Sequence, residues 1–392
     1  MPSFHLCNNN VCTRLYLFGQ DLKSLLLQNC WQELPLNQAD LIFVNSCSFL
    51  TKTENFFLAK IEKLDKSKTA NQKIIVFGCL PHTSLEKLRM VFSGEIMPAR
   101  DLAQAADLLG LKSINSNIGY SIPRQLRTLD RFNYFINKYL IRNAYLGYLS
   151  GEPAYYLNIA RGCLGKCTYC SEKTARGPLS SWPIADIAAS FRTGLKQGYR
   201  IFSLNADDVG VFGWDRKENI AGLLNELLSA DGDFKIILTE FNPWGLIKHQ
   251  QELLSLLASK KIAHITIPLQ SGSDKILKLM RRPYSILTVM DIIRLIRNNN
   301  PNIIINTHLI AGFPGETEED FRLTLDLVKS GLFDKVKVFP YSDRPQVPSY
   351  DLPYKIPPRI MAERSRRLRY ETFRQALLKL NLRNILLNLQ KI

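Results

Sequence analysis

The sequence has no long hydrophobic run and no apolar leader. No stretch of 18 or more apolar residues occurs among its 392 residues, and a helix that crosses a bilayer needs about that length. The N-terminus has no basic segment followed by an apolar core, as an export signal would. We therefore expect a soluble protein that has no membrane partner and resides in the cytoplasm.

Cysteine and acidic residues are also scarce. Eight cysteines in a chain of this length do not make a disulfide-rich scaffold. The 35 acidic residues are outnumbered by 51 Lys and Arg, which gives a net charge of +16 and favours a polyanionic partner such as RNA. The excess is concentrated near the C-terminus, where nine basic residues occur with only two acidic ones, Glu363 and Glu371. This tail could bind nucleic acid, and the alternative is a solvated helix face. The basic residues are Arg359, Arg364, Arg366, Arg367, Arg369, Arg374, Lys379, Arg383 and Lys391.

Three of the cysteines are clustered. Cys163, Cys167 and Cys170 form a C-x3-C-x2-C run. A structural zinc site needs four ligands, usually as two distant pairs, whereas this run offers three thiolates on one loop. A four-iron cluster binds one ligand per iron, so three cysteines leave one iron open to a substrate or cofactor. The alternatives are a zinc knuckle or a disulfide pair.

This run, with Tyr169 just before the last cysteine, resembles the cluster loop of the radical SAM enzymes. The resemblance implies a [4Fe–4S] cluster on Cys163, Cys167 and Cys170, with S-adenosylmethionine bound at the open iron. It also implies that an electron from a donor such as flavodoxin or ferredoxin cleaves the sulfonium to methionine and a 5′-deoxyadenosyl radical. In such enzymes the cofactor carries the difficult chemistry and the protein orients it.

The N-terminal region alternates strand and helix patterns. Residues 41–45 and 73–77 are continuously apolar and β-branched, which indicates buried parallel strands, and residues 54–64 have helical spacing between them. This pattern predicts a small doubly wound α/β domain. Cys47 and Cys79 follow the two strands, so we expect these thiols to meet at one edge of the sheet, either as ligands or as core residues.

A second domain follows with the same alternation. The pattern favours a partial (β/α) barrel with its active site on the loops at the carboxyl ends of the strands. We place the N-terminal domain at 1–115, a linker at 116–150, the partial barrel at 151–350 and a basic helical tail at 351–392. The predicted barrel strands are residues 154–159, 199–204, 235–238, 264–269, 302–308 and 335–339.

Polar and glycine residues follow several of the barrel strands. Asp208 could accept hydrogen bonds from ribose hydroxyls, although a surface turn would use the same residue type. Gln270 and Ser271 could reach a bound cofactor or substrate, and Gly312, in a loop that includes Glu316, allows close backbone approach. Thr317 and Asp320 resemble a capping box that opens the next helix.

The motifs of both domains together resemble the methylthiotransferases. Asn45-Ser-Cys47 and Gly78-Cys79-Leu-Pro resemble the second and third cysteine motifs of their N-terminal domain, where three cysteines hold a second, auxiliary four-iron cluster. The first ligand is Cys7 or Cys12. We favour Cys7 because it follows a strand and keeps the spacing Cys7-x-x-Asn10. Cys30, in an apolar helical stretch, is interpreted as a core residue.

The stretch from Cys170 through Ala175-Arg176-Gly177 resembles the branch that acts on N6-threonylcarbamoyladenosine in tRNA. The resemblance implies a C-terminal β-barrel that binds RNA, whereas the sequence after Arg369 is helical and basic. Despite this departure, the resemblance of the motifs leads us to expect methylthio insertion at a carbon of a modified adenosine in tRNA. The alternatives are a radical SAM enzyme that acts on a ribosomal protein or peptide or runs another radical reaction, and a non-catalytic RNA-binding relative with a structural cluster.

Overall fold

Two units make up the part of the chain that the structure describes. The computed structural model describes residues 1–8, 12–114, 118–121 and 153–389. The first unit comprises Met1–Asn117 together with Cys170–Pro178, and the second comprises Ile118–Tyr169 and Leu179–Ile392. The predicted linker at 116–150 lies almost entirely outside the described residues.

The first unit is a doubly wound α/β domain. Its sheet, within the described residues, has five parallel strands in the order β2-β1-β3-β4-β5. The strands are β1 Ser3–Cys7, β2 Gln32–Glu33, β3 Leu41–Ser46, β4 Lys73–Gly78 and β5 Glu95–Ile96. The helices are α1 Thr13–Gln28, α2 Thr51–Ser67, α3 Leu80–Thr83, α4 Leu85–Val91 and α5 Leu102–Leu109.

The strands and helix predicted in this unit are confirmed. β3 and β4 are buried along almost their whole length, as expected for continuously apolar strands of a parallel sheet that is covered on both faces. α2 buries Phe57 and Ile61 on one face, as the helical spacing predicted. The interpretation of Cys30 was wrong: α1 ends at Gln28, and Cys30 is an exposed residue with φ of 64° in the turn that follows.

The first unit also contains a short segment from later in the chain. Cys170–Pro178 belongs to this unit and carries helix α6, Glu172–Arg176, which ends at Gly177 with φ of 78°. Ala175 is buried in the same apolar cluster as Cys47, Cys79 and Leu80. The core of the first unit therefore includes residues from two distant parts of the sequence.

The second unit is a partial (β/α) barrel. Its main sheet, among the residues described, has the order β14-β13-β12-β11-β10-β7-β6, parallel throughout except for the β6–β7 pair. The strands are β6 Gly119–Ser121, β7 Ala154–Asn158, β8 Ala160–Arg161, β9 Ser180–Ser181, β10 Ile201–Asn205, β11 Lys235–Leu238, β12 Ile262–Thr266, β13 Ile304–Ala311 and β14 Lys335–Pro340. β8 and β9 form a separate antiparallel pair.

Helices cover this sheet and pack a continuous apolar core against it. They are α7 Ile184–Lys196, α8 Ile220–Leu228, α9 Pro243–Lys248, α10 Gln250–Leu257, α11 Asp274–Leu279, α12 Ile286–Asn299, α13 Glu318–Lys329 and α14 Pro358–Leu389. The predicted capping box is confirmed: Thr317 accepts from Asp320 N, and the Asp320 carboxylate accepts from Thr317 N. No described helix combines the length and apolar character that crossing a membrane requires.

Most barrel strands lie where the sequence predicted them. Two strands differ most: the one predicted at 302–308 runs from Ile304 to Ala311, and the one predicted at 264–269 runs from Ile262 to Thr266. Pro268 has no backbone N–H to donate to a ladder, so regular pairing stops before it. Beyond that point Gln270 N still donates to His308 O at 2.8 Å, which keeps the following loop attached to β13.

Candidate active site

Two thiols of the C-x3-C-x2-C loop face a common point in the second unit. Cys163 and Cys167 are each half-buried. A Cβ added to Gly165 would lie 3.2 Å from Cys163 Sγ and 3.6 Å from Cys167 Sγ, and Gly165 N donates to Cys163 Sγ at 3.2 Å. The two thiols therefore flank a cradle that a side chain at residue 165 would narrow, which fits a cluster held by this loop.

Backbone contacts fix the position of the same loop. Thr168, between Cys167 and Tyr169, donates from its N to Met280 O at 3.1 Å and from its hydroxyl to Leu279 O at 2.9 Å. At the other end of the loop, Gly162 N donates to Asp207 Oδ2 at 2.8 Å. The loop is thus held by the barrel at both ends.

Asp208 lies beside Cys163 and is almost completely buried. Its carboxylate accepts from Gly210 N at 2.9 Å, from Asn242 N at 3.3 Å and from Trp244 Nε1 at 3.0 Å. Cys163 Sγ lies 3.8 Å from its Oδ2. Burial raises the pKa of Asp208 to about 6, and the hydrogen bonds from Asn242 and Gly210 oppose this shift. The sequence suggested that this carboxylate accepts hydrogen bonds from a ribose. The contacts that the structure describes for it are with backbone and side-chain groups of the barrel unit.

Arg282 places a buried positive charge beside the second thiol. Its Nη1 lies 3.6 Å from Cys167 Sγ, and its Nη2 and Nε donate to Pro268 O and to Tyr284 Oη. Arg282 is only 6% exposed. Burial opposes its charge, but the anionic forms of Tyr284, Tyr169 and Cys167 favour it, so the pKa of Arg282 is raised above the ordinary arginine value.

Tyr169, Gln270 and Ser271 lie on this side of the barrel. Tyr169 is half-buried, whereas Gln270 and Ser271 are buried. The Tyr169 ring packs edge-on against Phe313 with centroids 6.5 Å apart. Gln270 has φ of 69°, and its backbone pairs with Leu309 of β13. Ser271 is fully buried, and its Oγ lies 3.3 Å from the Thr324 hydroxyl. Ser271 therefore stabilises the loop from inside.

Glu316 is a second buried carboxylate that supports a loop. Its Oε2 accepts from Gly312 N and from Arg364 Nη1, each at 2.8 Å. The side chains of Glu316 and Arg364 are 0% and 7% exposed. Gly312 has φ of 78°, and a Cβ there would lie 2.7 Å from Met361 Cγ. Helix α14 thus packs on the Gly312 loop and is tied to it by a buried ion pair.

Cys47 and Cys79 come together in the first unit as the sequence predicted. They are 2% and 4% exposed and belong to one apolar cluster. Burial raises the pKa of Cys47 to about 11, with a further increase from the neighbouring Cys12. Burial also raises the pKa of Cys79, and both Cys47 and Cys12 add to that shift. Cys12 is therefore close enough to act electrostatically on both buried thiols.

Cys7 has different charged neighbours. It ends β1 and pairs in register with Val44 of β3, and it is partly buried against the same apolar cluster. Burial raises its pKa, while the positive charge of Lys60 opposes that shift. Residues 9–11, which separate Cys7 from Cys12 and include Asn10, lie outside the described residues.

Neither group of cysteines is arranged for a single metal ion. In the part of the chain that the structure describes, no three His, Cys, Asp or Glu side chains are close enough to hold one ion. A four-iron cluster takes one thiolate per iron atom, so its ligands are spread more widely than those of a single ion. The thiol character of both groups and the Gly165 cradle fit such a cluster.

Sequence reasoning missed the buried cations near the thiols. Arg282 occurs in Met280-Arg-Arg282-Pro-Tyr284, which contributed to the family resemblance, but no role followed from that motif alone. Arg364 was noted only as part of the basic tail and Arg176 only as part of the Ala-Arg-Gly stretch, and Trp244 was not singled out. Their positions depend on contacts with residues distant in sequence, so only the structure reveals them.

Comparison with known families assigns both units. Residues 157–328 match the "Radical SAM superfamily", and residues 19–96 match "Uncharacterized protein family UPF0004". The first match covers the cluster loop and most barrel strands. The second covers Cys47 and Cys79.

Two curated relatives match most of the chain. A "Probable threonylcarbamoyladenosine tRNA methylthiotransferase" of Pyrococcus horikoshii is 31% identical over 353 residues, which cover 86% of this chain and 76% of that protein. The "Ribosomal protein uS12 methylthiotransferase RimO" of Geobacter sulfurreducens is 32% identical over 345 residues, which cover 84% and 73%. The two relatives have different substrates in their names and similar identity to this chain.

A solved structure supports the same fold. The radical S-adenosylmethionine methyltransferase TsrM of Kitasatospora setae aligns with a TM-score of 0.62 at 15% identity, covering 89% of this chain and 77% of that one. At that identity the likeness concerns the fold alone. The sequence matches to the curated relatives carry the assignment further: this chain belongs to the radical SAM methylthiotransferases, enzymes that use a [4Fe–4S] cluster with S-adenosylmethionine and carry a second iron–sulfur cluster.

Proposed function

We propose that this enzyme transfers a methylthio group to N6-threonylcarbamoyladenosine in tRNA. The observation that carries the proposal is the segment from Cys170 to Gly177, whose Ala-Arg-Gly ending resembles the branch with that substrate. Relatives named for this reaction in Pyrococcus horikoshii, Pyrococcus abyssi and Archaeoglobus fulgidus support it. The net charge of +16 also favours a polyanionic substrate.

The basic tail gives this proposal less support than its charge suggests. Four of the nine basic residues from Arg359 onward form ion pairs within the second unit. Three of these pairs join α14 to another segment of the barrel unit, and the fourth, Arg374 with Glu371, lies within α14 itself. The pairs are Arg364 with Glu316, Arg367 with Glu318, Arg374 with Glu371 and Lys379 with Asp334. We therefore attribute tRNA attraction to the chain as a whole and treat α14 first as a packing element.

The radical cluster is assigned to Cys163, Cys167 and Cys170. When bound, this cluster supplies the electron that cleaves S-adenosylmethionine. Gly165 leaves room beside the first two thiols, Asp207 and Thr168 fix the ends of the loop, and Arg282 provides positive charge at Cys167. These residues orient the ligands and compensate their charge.

The auxiliary cluster is assigned to Cys12, Cys47 and Cys79, with Cys7 as the alternative first ligand. The sequence favoured Cys7. Cys12 is among the groups that raise the pKa of Cys47 and the pKa of Cys79, and only nearby groups exert such effects, which supports Cys12. The resemblance implies that this cluster supplies or carries the sulfur.

Asp208, Ser271 and Glu316 are assigned as supports of the cofactor loops. Each is buried and contacts loop backbone or a neighbouring side chain in the second unit. Gln270, Tyr169 and the backbone at Gly312 stay as proposed contacts to S-adenosylmethionine. An electron donor such as flavodoxin or ferredoxin, and a cytoplasmic location, also stay proposals.

Product analysis tests the substrate. Anaerobically reconstituted enzyme, S-adenosylmethionine, sulfide and a reductant are incubated either with tRNA carrying threonylcarbamoyladenosine or with a peptide from ribosomal protein uS12. We expect mass spectrometry to find the methylthio nucleoside and an unchanged peptide, with Cys167→Ala inactive on both. Modification of the peptide alone would overturn the tRNA proposal and favour the reaction named for the Geobacter sulfurreducens relative.

Iron analysis tests the number of clusters. In a Cys163→Ala, Cys167→Ala, Cys170→Ala triple variant, we expect iron and sulfide content with Mössbauer spectra to reveal about four remaining irons, because the auxiliary ligands are intact. Essentially no iron in that variant would contradict the assignment of an auxiliary cluster, and with it the proposal that this cluster serves sulfur insertion.

A further inference from the structure

Helix α6 brings residues of the radical-cluster loop into the first unit. The segment Cys170–Pro178 belongs to that unit, and α6 packs against α3, which begins one residue after Cys79. Ala175 is buried with Cys47 and Cys79 in one apolar cluster. Arg100 donates to the carbonyl of Thr174 through Nε at 3.3 Å and Nη2 at 3.2 Å, which fixes the helix backbone.

The last residue of this helix lies against the auxiliary thiols. Arg176 is 8% exposed, and its Nη2 lies 3.9 Å from Cys12 Sγ. Its neighbour Ala175 is buried in one apolar cluster with Cys47 and Cys79, and Cys12 packs against the same cluster. One buried guanidinium therefore lies beside Cys12 and next to the apolar cluster that contains the other two thiols proposed to hold the auxiliary cluster.

The charge balance of this site needs such a cation. Metal-bound cysteines are thiolates, and the cationic core of a four-iron cluster offsets only part of their charge. The net negative charge that remains is costly to bury unless a further positive charge is near. Glu172 adds a further negative charge close to Cys47 and Cys79, although Arg14 lies 3.5 Å from its carboxylate. Arg176 is placed to compensate the thiolates themselves.

We propose that Arg176 is a positioning residue of the auxiliary cluster, which compensates the charge of the Cys12, Cys47 and Cys79 thiolates and raises the reduction potential of the cluster. The inference rests on the proposed auxiliary ligands. Cluster potentials depend on net charge and on hydrogen bonds to the sulfurs, and a guanidinium supplies both. Because Arg176 is six residues after Cys170, one short segment would serve both cluster sites.

The potential of the auxiliary cluster is the decisive measurement. It is read by EPR-monitored redox titration in the Cys163→Ala, Cys167→Ala, Cys170→Ala background, where only that cluster remains. We expect Arg176→Met to retain about four irons and to move the potential to a more negative value. Arg176→Lys keeps the charge and should restore most of the shift.

Arg100→Met is the matched control, because Arg100 holds α6 through the Thr174 carbonyl rather than through a thiol. We expect it to leave the potential unchanged. An unaltered potential in Arg176→Met, or an equal shift in Arg100→Met, overturns the proposal.

Two further outcomes are also informative. If Arg176→Met assembles no cluster, restored iron in Arg176→Lys supports the charge role, and loss in the lysine variant as well overturns it. If the background protein itself contains no iron, the auxiliary assignment fails, and with it the inference that rests on it. If the cluster is present but its potential does not change in Arg176→Met, the inference about Arg176 is contradicted and the auxiliary assignment is not affected.

Discussion

The two cysteine groups are held by different kinds of structure. Cys163 and Cys167 are half-buried on a loop of the barrel unit, whereas Cys47 and Cys79 are buried where two parallel strands of the first unit end. An exchangeable cofactor such as S-adenosylmethionine needs access to its metal site, which a loop at the mouth of a barrel provides. The two thiols at the strand ends are more enclosed than the two barrel thiols.

Each group has a buried arginine beside one thiol, but the arginines are anchored differently. Arg282 contacts Pro268 O and Tyr284 Oη as well as Cys167, so the barrel itself fixes its position. Arg176 is carried by a helix of five residues that enters the first unit from another part of the chain. Each group therefore has a buried cation within 3.9 Å of one thiol, fixed in one case by contacts inside the barrel and in the other by a short helix from a distant part of the chain.

The largest expected effect separates the two groups by activity. Cys167→Ala should lower the formation of 5′-deoxyadenosine by more than about 100-fold, the upper end of what losing supporting contacts at a metal site costs. Cys79→Ala should leave this cleavage near the wild-type rate while abolishing methylthio product. Chromatography of both products in the same assay measures this. Equal loss of cleavage in both variants would remove the distinction between the sites.

The second prediction separates Cys12 from Cys7 within the enclosed site. In the background that lacks the three radical-cluster cysteines, Cys12→Ser should lower the iron content from about four to near zero, because a four-iron cluster with too few thiolates is unstable. Cys7→Ser should leave it unchanged. Iron and sulfide analysis of both variants measures this difference. Loss of iron in Cys7→Ser but not in Cys12→Ser would favour Cys7 as the ligand, as the sequence did.

A third buried arginine extends the comparison to stability. Arg364→Met should lower the free energy of unfolding by about 3 to 5 kcal/mol, because it leaves the Glu316 carboxylate buried without its cation. Arg367→Met, which breaks a partly exposed pair with Glu318, should cost at most about 1 kcal/mol.

Urea unfolding of both variants measures the difference. Adding Glu316→Gln to Arg364→Met should recover part of the loss, since the uncompensated charge is then removed. Similar effects of the two arginine substitutions would show that burial does not distinguish the pairs.

The smallest expected effect concerns pH and the barrel unit alone. His264 on β12 is buried, and burial lowers its pKa to about 4. Asn306 Nδ2 lies 2.7 Å from its Nε2, an arrangement that suits a neutral ring. An unfolded chain binds a proton at this residue below about pH 6.5, whereas the folded chain does so only near pH 4.

Stability from His264 is therefore complete above about pH 6.5 and is lost as the pH falls toward 4, by up to roughly 3 kcal/mol. Urea unfolding between pH 7 and 4.5 should show this slope in the wild type and a flatter one in His264→Gln. The same slope in both proteins would contradict the assignment.

The sequence predicted the framework of both sites for physical reasons. Apolar β-branched runs mark buried parallel strands, so β3 and β4 and the meeting of Cys47 with Cys79 at their ends followed directly. The close approach at Gly312 and the capping box at Thr317 are local features, and local features are readable from short stretches. Cys30 was misread because an apolar pattern does not reveal that a helix ends two residues earlier.

The sequence could not predict which polar side chains are buried or which groups they contact. Asp208 and Glu316 both follow barrel strands, where a carboxylate can face either a ligand or the loop backbone. The partners that decide between these, Trp244 and Arg364, lie 36 and 48 residues away. The same holds for Arg176, which is 164 residues from Cys12 in the chain.

The placement of Cys170–Pro178 has a practical consequence for dissecting this enzyme. A fragment cut after the N-terminal α/β region would lack Ala175, a buried member of its own core, and would leave Cys47 and Cys79 uncovered on that side. Such a fragment should express poorly or aggregate even if every strand of its sheet is present. A permuted fragment that appends residues 170–178 through a linker is the smallest piece in which the auxiliary site could be studied by itself.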